Sequence, residues 1–217
     1  MVSLKCLEEK NQIPERLEDR LEELCKSLNI SCGYLLEAIN ELDLKTIRDL
    51  QLLTLGAQLR GGQNTKLGKD AADEVFSIIK KIVNGCIVEE GPQKIILDNA
   101  AGRKVTVTFS SDPDIAIKEV MESGIRPVVS IEIKGGTDVS NIHNRLGEAE
   151  KSHQKAKSSG FFEFWTIIGA EVDTDTARRE SPTSSRFFHL SQLRIPTSDE
   201  YKSFKDHFQS VVGIKTN

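Results

Sequence analysis

Apolar residues recur every three or four positions through the first sixty residues, the spacing that gathers them on one face of a helix. Pro14 can open a helix that carries Leu17, Leu21, Leu24, Cys25 and Leu28. Ser31 stands as an N-cap before a second helix through Leu35, Leu36 and Ile39, and a third carries Leu44, Ile47, Leu50, Leu53 and Leu55. Residues 60–69, with Gly61, Gly62 and Gly68, read as a polar connection. A helix over 70–83 follows, striped by Ala71, Val75, Ile78, Ile79 and Ile82. The period then shortens to two, which predicts strands at 93–97 and 104–109 around a turn at Asp98-Asn99-Ala100-Ala101-Gly102, and a third at 127–134. A helix over 141–157, a strand at 162–168, a polar loop over 171–185, a strand at 186–193 and a helix over 199–211 complete the pattern. From residue 70 the order is helix, three strands, helix, strand. The expected organisation is a helical layer or subdomain at 1–60 and an α/β domain at 61–217, its core at about 70–170.

Composition narrows the partners. With 217 residues, 38% of them hydrophobic, the chain can bury a core of ordinary size. No apolar run approaches the roughly 18 residues of a membrane span, and Lys5, Glu8, Glu9 and Lys10 are incompatible with a signal peptide. The four cysteines lack zinc-site spacing and are too sparse for a disulfide scaffold, so the expected compartment is the reducing cytoplasm. Lys and Arg total 29 against 33 Asp and Glu. That balance gives no argument for nucleic-acid binding, and any such case rests on a local site. The glycine-bearing stretch around Gly62 and Gly68 misses P-loop spacing, and Asp70 follows Lys69 where Ser or Thr is required. No nucleophile elbow is present, and Cys86 has no evident histidine partner.

The informative stretch is Ser130-Ile131-Glu132-Ile133-Lys134-Gly135-Gly136. Side chains alternate along a strand, so Val129, Ile131 and Ile133 face one way while Ser130, Glu132 and Lys134 face the other. Upstream, Pro113-Asp114 offers a second carboxylate, with Asp112 beside it as the competing choice. Two carboxylates and a backbone carbonyl, that of Ile133, make a hard-oxygen set suited to Mg²⁺. Lys134 beside them can orient a water and offset developing negative charge.

Pro-Asp upstream, Glu-x-Lys at the end of an apolar strand, and the helix–three strands–helix–strand order resemble the PD-(D/E)xK nuclease superfamily over roughly residues 70–170. The resemblance implies a restriction-endonuclease-like core, a mixed sheet flanked by helices. It also implies Asp114 and Glu132 as metal ligands, Lys134 as the residue assisting the water, and an acidic residue on the preceding helix, Asp73 or Glu74. The segment 135–155, beginning Gly135-Gly136-Thr137-Asp138, resembles type II restriction endonucleases of the XcyI type. This implies a Mg²⁺-dependent endodeoxyribonuclease that cuts both strands of a short palindrome as a homodimer, alongside a methyltransferase protecting the same site. The alternatives are a structure-specific repair or recombination nuclease and a non-catalytic DNA-binding module on the same fold.

Candidate contacts to double-stranded DNA are Arg60, Gln63, Asn64, Lys66 and Lys69 in the connection, and Asn141, Asn144, Arg145 and Glu148 off the apolar stripe of the following helix. Arginine can read guanine and asparagine adenine through paired hydrogen bonds, while lysines contact phosphates. Lys151 and Lys155 belong to the latter group. His153 and Trp165 fall at apolar positions and are expected to pack.

Overall fold

A computed structural model describes residues 18–39, 43–110 and 112–214. The chain divides into two compact units, Met1–Leu59 and Arg60–Asn217. In the first, helix α1 (Glu18–Glu37) is continuous, and α2 (Leu44–Val83) begins with Asp43 accepting a hydrogen bond from the Thr46 N–H at 2.6 Å. Ser31 caps nothing. It lies inside α1 and returns its hydroxyl to the Ser27 carbonyl at 2.9 Å, the local bond that a mid-helix serine makes instead of capping. Leu28, Tyr34, Leu35, Leu44, Leu53 and Leu59 are exposed on this unit.

The 60–69 connection is also helical, being part of the forty-residue α2. Three glycines cost helix propensity, but none introduces a clash or a chain break, and propensity yields to context. Helical N–H groups are committed to carbonyls four residues back, so the free amides expected of a phosphate-gripping loop are not there.

The second unit is built on one mixed sheet of seven strands: β1 (Ile87–Gly91), β2 (Lys94–Asp98), β3 (Lys104–Phe109), β4 (Ile115–Met121), β5 (Gly124–Lys134), β6 (Glu163–Ile168) and β7 (Arg186–His189). Strands lie in chain order, antiparallel from β1 to β5 and parallel from β5 to β7. Helix α3 (Ile142–Ser158) makes the β5–β6 crossover, and the short α4 (Thr174–Glu180) forms within the expected polar loop between β6 and β7. The last predicted strand ends early at His189 and turns into α5 (Leu190–Leu193), before α6 (Asp199–Val212), which is capped by the Ser198 hydroxyl.

The two sheet faces are covered differently. Ile95, Val107, Ile117, Val129, Ile131, Ile133 and Trp165 pack with Val75 and Ile79 of α2 and with Phe204 and Phe208 of α6. Trp165 is fully buried and meets the rings of Phe188, Phe204 and Phe208 edge-on, the arrangement aromatic quadrupoles favour. On the other face Ala116 and Phe164 pack with Ala156 of α3, and Leu146 packs on Ile168. Residues 128–133 of β5 are therefore buried on both faces, polar positions included.

Candidate active site

The β4–β5 register pairs Ile115 with Ile131 and Ala116 with Ser130. Continued by one residue, it sets Asp114 opposite Glu132. The Asp114 Oδ2 accepts a hydrogen bond from the Ile133 N–H at 2.7 Å, which ties its carboxylate to the Glu-x-Lys strand. Its backbone is pinned as well: the Asp114 carbonyl accepts the Ser110 N–H at 3.0 Å, and the Ser110 hydroxyl donates to the Pro113 carbonyl. Asp112, after which the chain makes a cis bond to Pro113, pairs its carboxylate with Lys155. Of the two aspartates, Asp114 is the one held against Glu132, and Lys155 is engaged by a carboxylate within the chain.

Glu132 is 3% exposed and sits beneath α3. Its Oε2 accepts a hydrogen bond from Lys134 Nζ at 3.2 Å, while Oε1 is buried without a partner. Burial first, and then the neighbouring charge of Asp114, raise the Glu132 carboxyl from 4.5 to about 7, against the pull of Lys134 and a hydrogen bond with Ser152. Asp114 is raised too, chiefly by burial, and the Ile133 N–H and Lys134 oppose the rise. Two like charges thus share a largely buried site with one ammonium, bonded to Glu132, to offset them. A partnerless carboxylate oxygen and an unfavourable excess of negative charge are what a hard divalent cation relieves, so the donor set fits Mg²⁺. No cluster of three or more His, Cys, Asp or Glu side chains that could hold a metal ion forms among the described residues, so a metal here would rest on the two carboxylates and a backbone oxygen. Ile133, whose N–H already holds Asp114, is the backbone residue at this point.

The helical acid implied by the resemblance has Asp73 and Glu74 of α2 as its candidates. Glu74 takes both Arg194 nitrogens, at 2.8 and 2.9 Å, and Asp73 is exposed. The bidentate guanidinium engages both carboxylate oxygens of Glu74.

Behind Glu132 lies a polar layer that the sequence did not announce. Thr166 is the β6 partner of Glu132, and its hydroxyl meets His153 Nε2 at 2.8 Å and the Ser184 hydroxyl. Ser184 contacts Ser181, which donates to Glu150 at 3.1 Å, and Glu150 also accepts the Thr183 N–H at 2.9 Å. His153 packs as expected and is fully buried, and burial lowers it to about 4, so it is neutral near pH 7. Ser152, His153 and Thr166 occupy positions where a serine, a histidine and a threonine ordinarily mean packing or solvent. The available signal was their place on the α3 face and the β6 register nearest Glu132.

The other candidates are dispersed. Lys66 and Lys69 are exposed on α2, while the side chains of Arg60, Gln63 and Asn64 lie outside the described residues. Asn141, Asn144 and Glu148 are exposed at the start of α3, with Asn144 Nδ2 donating to Asn141 Oδ1 at 2.7 Å. Arg145 turns inward, its guanidinium over Gly136.

The profile of the XcyI restriction endonuclease family matches residues 2–215. The chain is 42% identical to the type II restriction enzyme Cfr9I of Citrobacter freundii over 214 residues, covering 97% of this chain and 65% of that enzyme. It is 43% identical to the type II restriction enzyme XcyI of Xanthomonas campestris pv. cyanopsidis, covering 97% of this chain and 64% of that enzyme. It thus spans a little under two thirds of the length of these relatives. No solved structure matches it. The matched range takes in nearly the whole chain, and the chain belongs to the XcyI restriction endonuclease family.

Proposed function

We propose that the chain is a Mg²⁺-dependent type II restriction endodeoxyribonuclease that hydrolyses phosphodiester bonds in both strands of a short palindromic site. The observation that carries this reading is the constellation of half-buried Asp114 and Lys134 with buried Glu132, whose Oε1 has no partner. Asp114, Glu132 and the Ile133 carbonyl would hold Mg²⁺. When bound, the ion would supply Lewis-acid polarisation of the phosphate and stabilise negative charge at the reacting oxygens. Lys134, tethered to Glu132, orients the attacking water and offsets charge developing on the phosphate. The Ile133 N–H fixes Asp114 in one rotamer, and Lys134 holds Glu132 by its Oε2.

A palindrome presents the same bond on each strand, so two copies related by a two-fold axis would place one site on each. A methyltransferase acting on the same sequence would protect the host's own DNA without forming a stable complex. The DNA substrate and the absence among the described residues of any helix apolar enough to cross a membrane accord with a cytoplasmic enzyme.

The test is cleavage of plasmid DNA with Mg²⁺, with Ca²⁺ and with EDTA. Discrete fragments with Mg²⁺ alone are expected. Full cutting in EDTA would end the metal-nuclease reading, and cutting only at branched or flapped DNA would replace sequence recognition with recognition of structure.

A further inference from the structure

We propose that Arg145 grips the scissile phosphate itself, held over the bare backbone of Gly136, and does not read a base. This rests on the nuclease reading above. A β-carbon built on Gly136 would overlap Nη1, Nη2 and Cζ of Arg145. The guanidinium therefore lies on the α-carbon of a residue only two positions beyond Lys134.

The turn beneath it is immobilised from two sides. A β-carbon on Gly135 would strike the Ala71 side chain and lie 3.2 Å from the Leu67 carbonyl of α2. A β-carbon on Gly169, after β6, would strike the Gly135 carbonyl. Gly169 also donates its N–H to the Lys134 carbonyl at 2.9 Å. Next to Arg145, Leu146 is fully buried and anchors α3.

The cation so placed has no anion. Arg103, Arg126, Arg179 and Arg194 each meet a carboxylate, whereas Arg145, half-buried, meets none among the described residues. A partly desolvated guanidinium without a counter-ion costs stability unless its working state supplies one. A planar fork on a rigid glycine floor beside the catalytic lysine suits two oxygens of one phosphodiester group. Exposed Asn141, Asn144 and Glu148, one face away, remain the positions with access to base edges.

The test compares G136A, R145A, the double variant and K134A in single-turnover cleavage with enzyme in excess, and in equilibrium DNA binding with Ca²⁺. Gly136 does not adopt left-handed backbone angles, so alanine fits the chain, and the nearest atoms it would displace are those of the guanidinium. R145A should slow cleavage by about 10²–10³-fold, the usual loss for one transition-state donor, while the slope of log affinity against log salt falls by about 1. G136A should reproduce most of the loss, and the double variant should be no slower than R145A, because both changes remove one interaction. Multiplying losses in the double variant would overturn the proposal. So would R145A that cuts at the wild-type rate but accepts altered base pairs, which would make Arg145 a base reader. Wild-type cutting with none by K134A keeps the nuclease reading standing in either case; wild type that cuts no DNA removes the foundation itself.

Discussion

Replacing Glu132 by Gln should make the metal-free protein more stable while making it inactive. The carboxyl is raised from 4.5 to about 7 by burial and by Asp114, and a carboxyl that is harder to ionise when folded makes stability fall as pH rises between those two values and stay level above them. At about 1.4 kcal/mol per tenfold change, holding the ionised form in the fold costs about 3 kcal/mol at pH 8. Gln removes the charge but places an amide where Oε1 is buried without a partner, which returns ~1 kcal/mol of the gain. The net is about 2 kcal/mol, or a rise in Tm of roughly 4–8 °C for a chain of this size. Thermal unfolding in EDTA at pH 8 measures it directly. The gap should shrink below about 1 kcal/mol at pH 5, where the wild-type carboxyl is protonated in the fold. Excess Mg²⁺ should raise the wild type and leave the variant nearly unchanged. A wild type as stable as the variant at pH 8 in EDTA would refute the argument, since Glu132 would then carry no uncompensated charge.

Other substitutions divide the site by role. Lys134→Ala should abolish cutting but weaken DNA binding less than about tenfold, as expected of a group that acts mainly on the transition state; gel shifts and cleavage on the same DNA show the split, and a variant cutting at the wild-type rate would sink the catalytic assignment. Asp114→Ala should stop cleavage and tighten metal-free binding by relieving repulsion of phosphate, whereas Asp112→Ala, which only frees Lys155, should retain most activity; equal losses would shift the metal site. Thr166→Val leaves buried His153 Nε2 without its partner and should cost about 1–3 kcal/mol in urea unfolding, with no cost if the hydroxyl is idle.

The legible parts of this chain are those where one face of an element is buried and the other is wet. β3 shows it, with Val105 and Val107 inside and the threonines partly exposed. β4 does not: in Ile115–Met121 the first three residues are all buried, so period-two alternation disappears, and the strand escaped notice. Without that alternation the pattern assigns Asp114 to no element, although it abuts the strand that aligns it. β1, mostly exposed, offered too little apolar signal. The glycines of α2 concealed the helix because local propensity speaks for a break where the chain makes none. The Asp–Glu–Lys set was legible because its residues sit at fixed offsets along neighbouring strands. The polar layer of Ser152, His153 and Thr166 was not, because it is assembled between a helix and a strand whose facing no local pattern encodes. Gly136 and Arg145 stood in the sequence nine residues apart with nothing to say that one supports the other.

The chain-ordered sheet also has a bearing on how the site comes into being. Asp114 and Glu132 belong to one hairpin, β4–β5, closed by a tight turn at Gly124. Local closure is the least costly event available to a folding chain, so this ladder can form early and bring the two carboxylates together while both are still hydrated. The penalty arises only when α3 settles over Glu132 and excludes water. Docking of α3 is therefore the step opposed by the site's own charge, and undocking of α3 is the opening that relieves it. The helix carrying Arg145 and Ser152 becomes the part of the fold that breathes, above a strand that does not. Amide exchange without metal at pH 8 should accordingly be faster in α3 than in residues 129–133 of β5 and should slow in α3 when Glu132 is replaced by Gln; uniform exchange across both would count against it. On this view a single acidic side chain governs how firmly α3 closes over the strand, and a cation that neutralised it would also fasten the helix down.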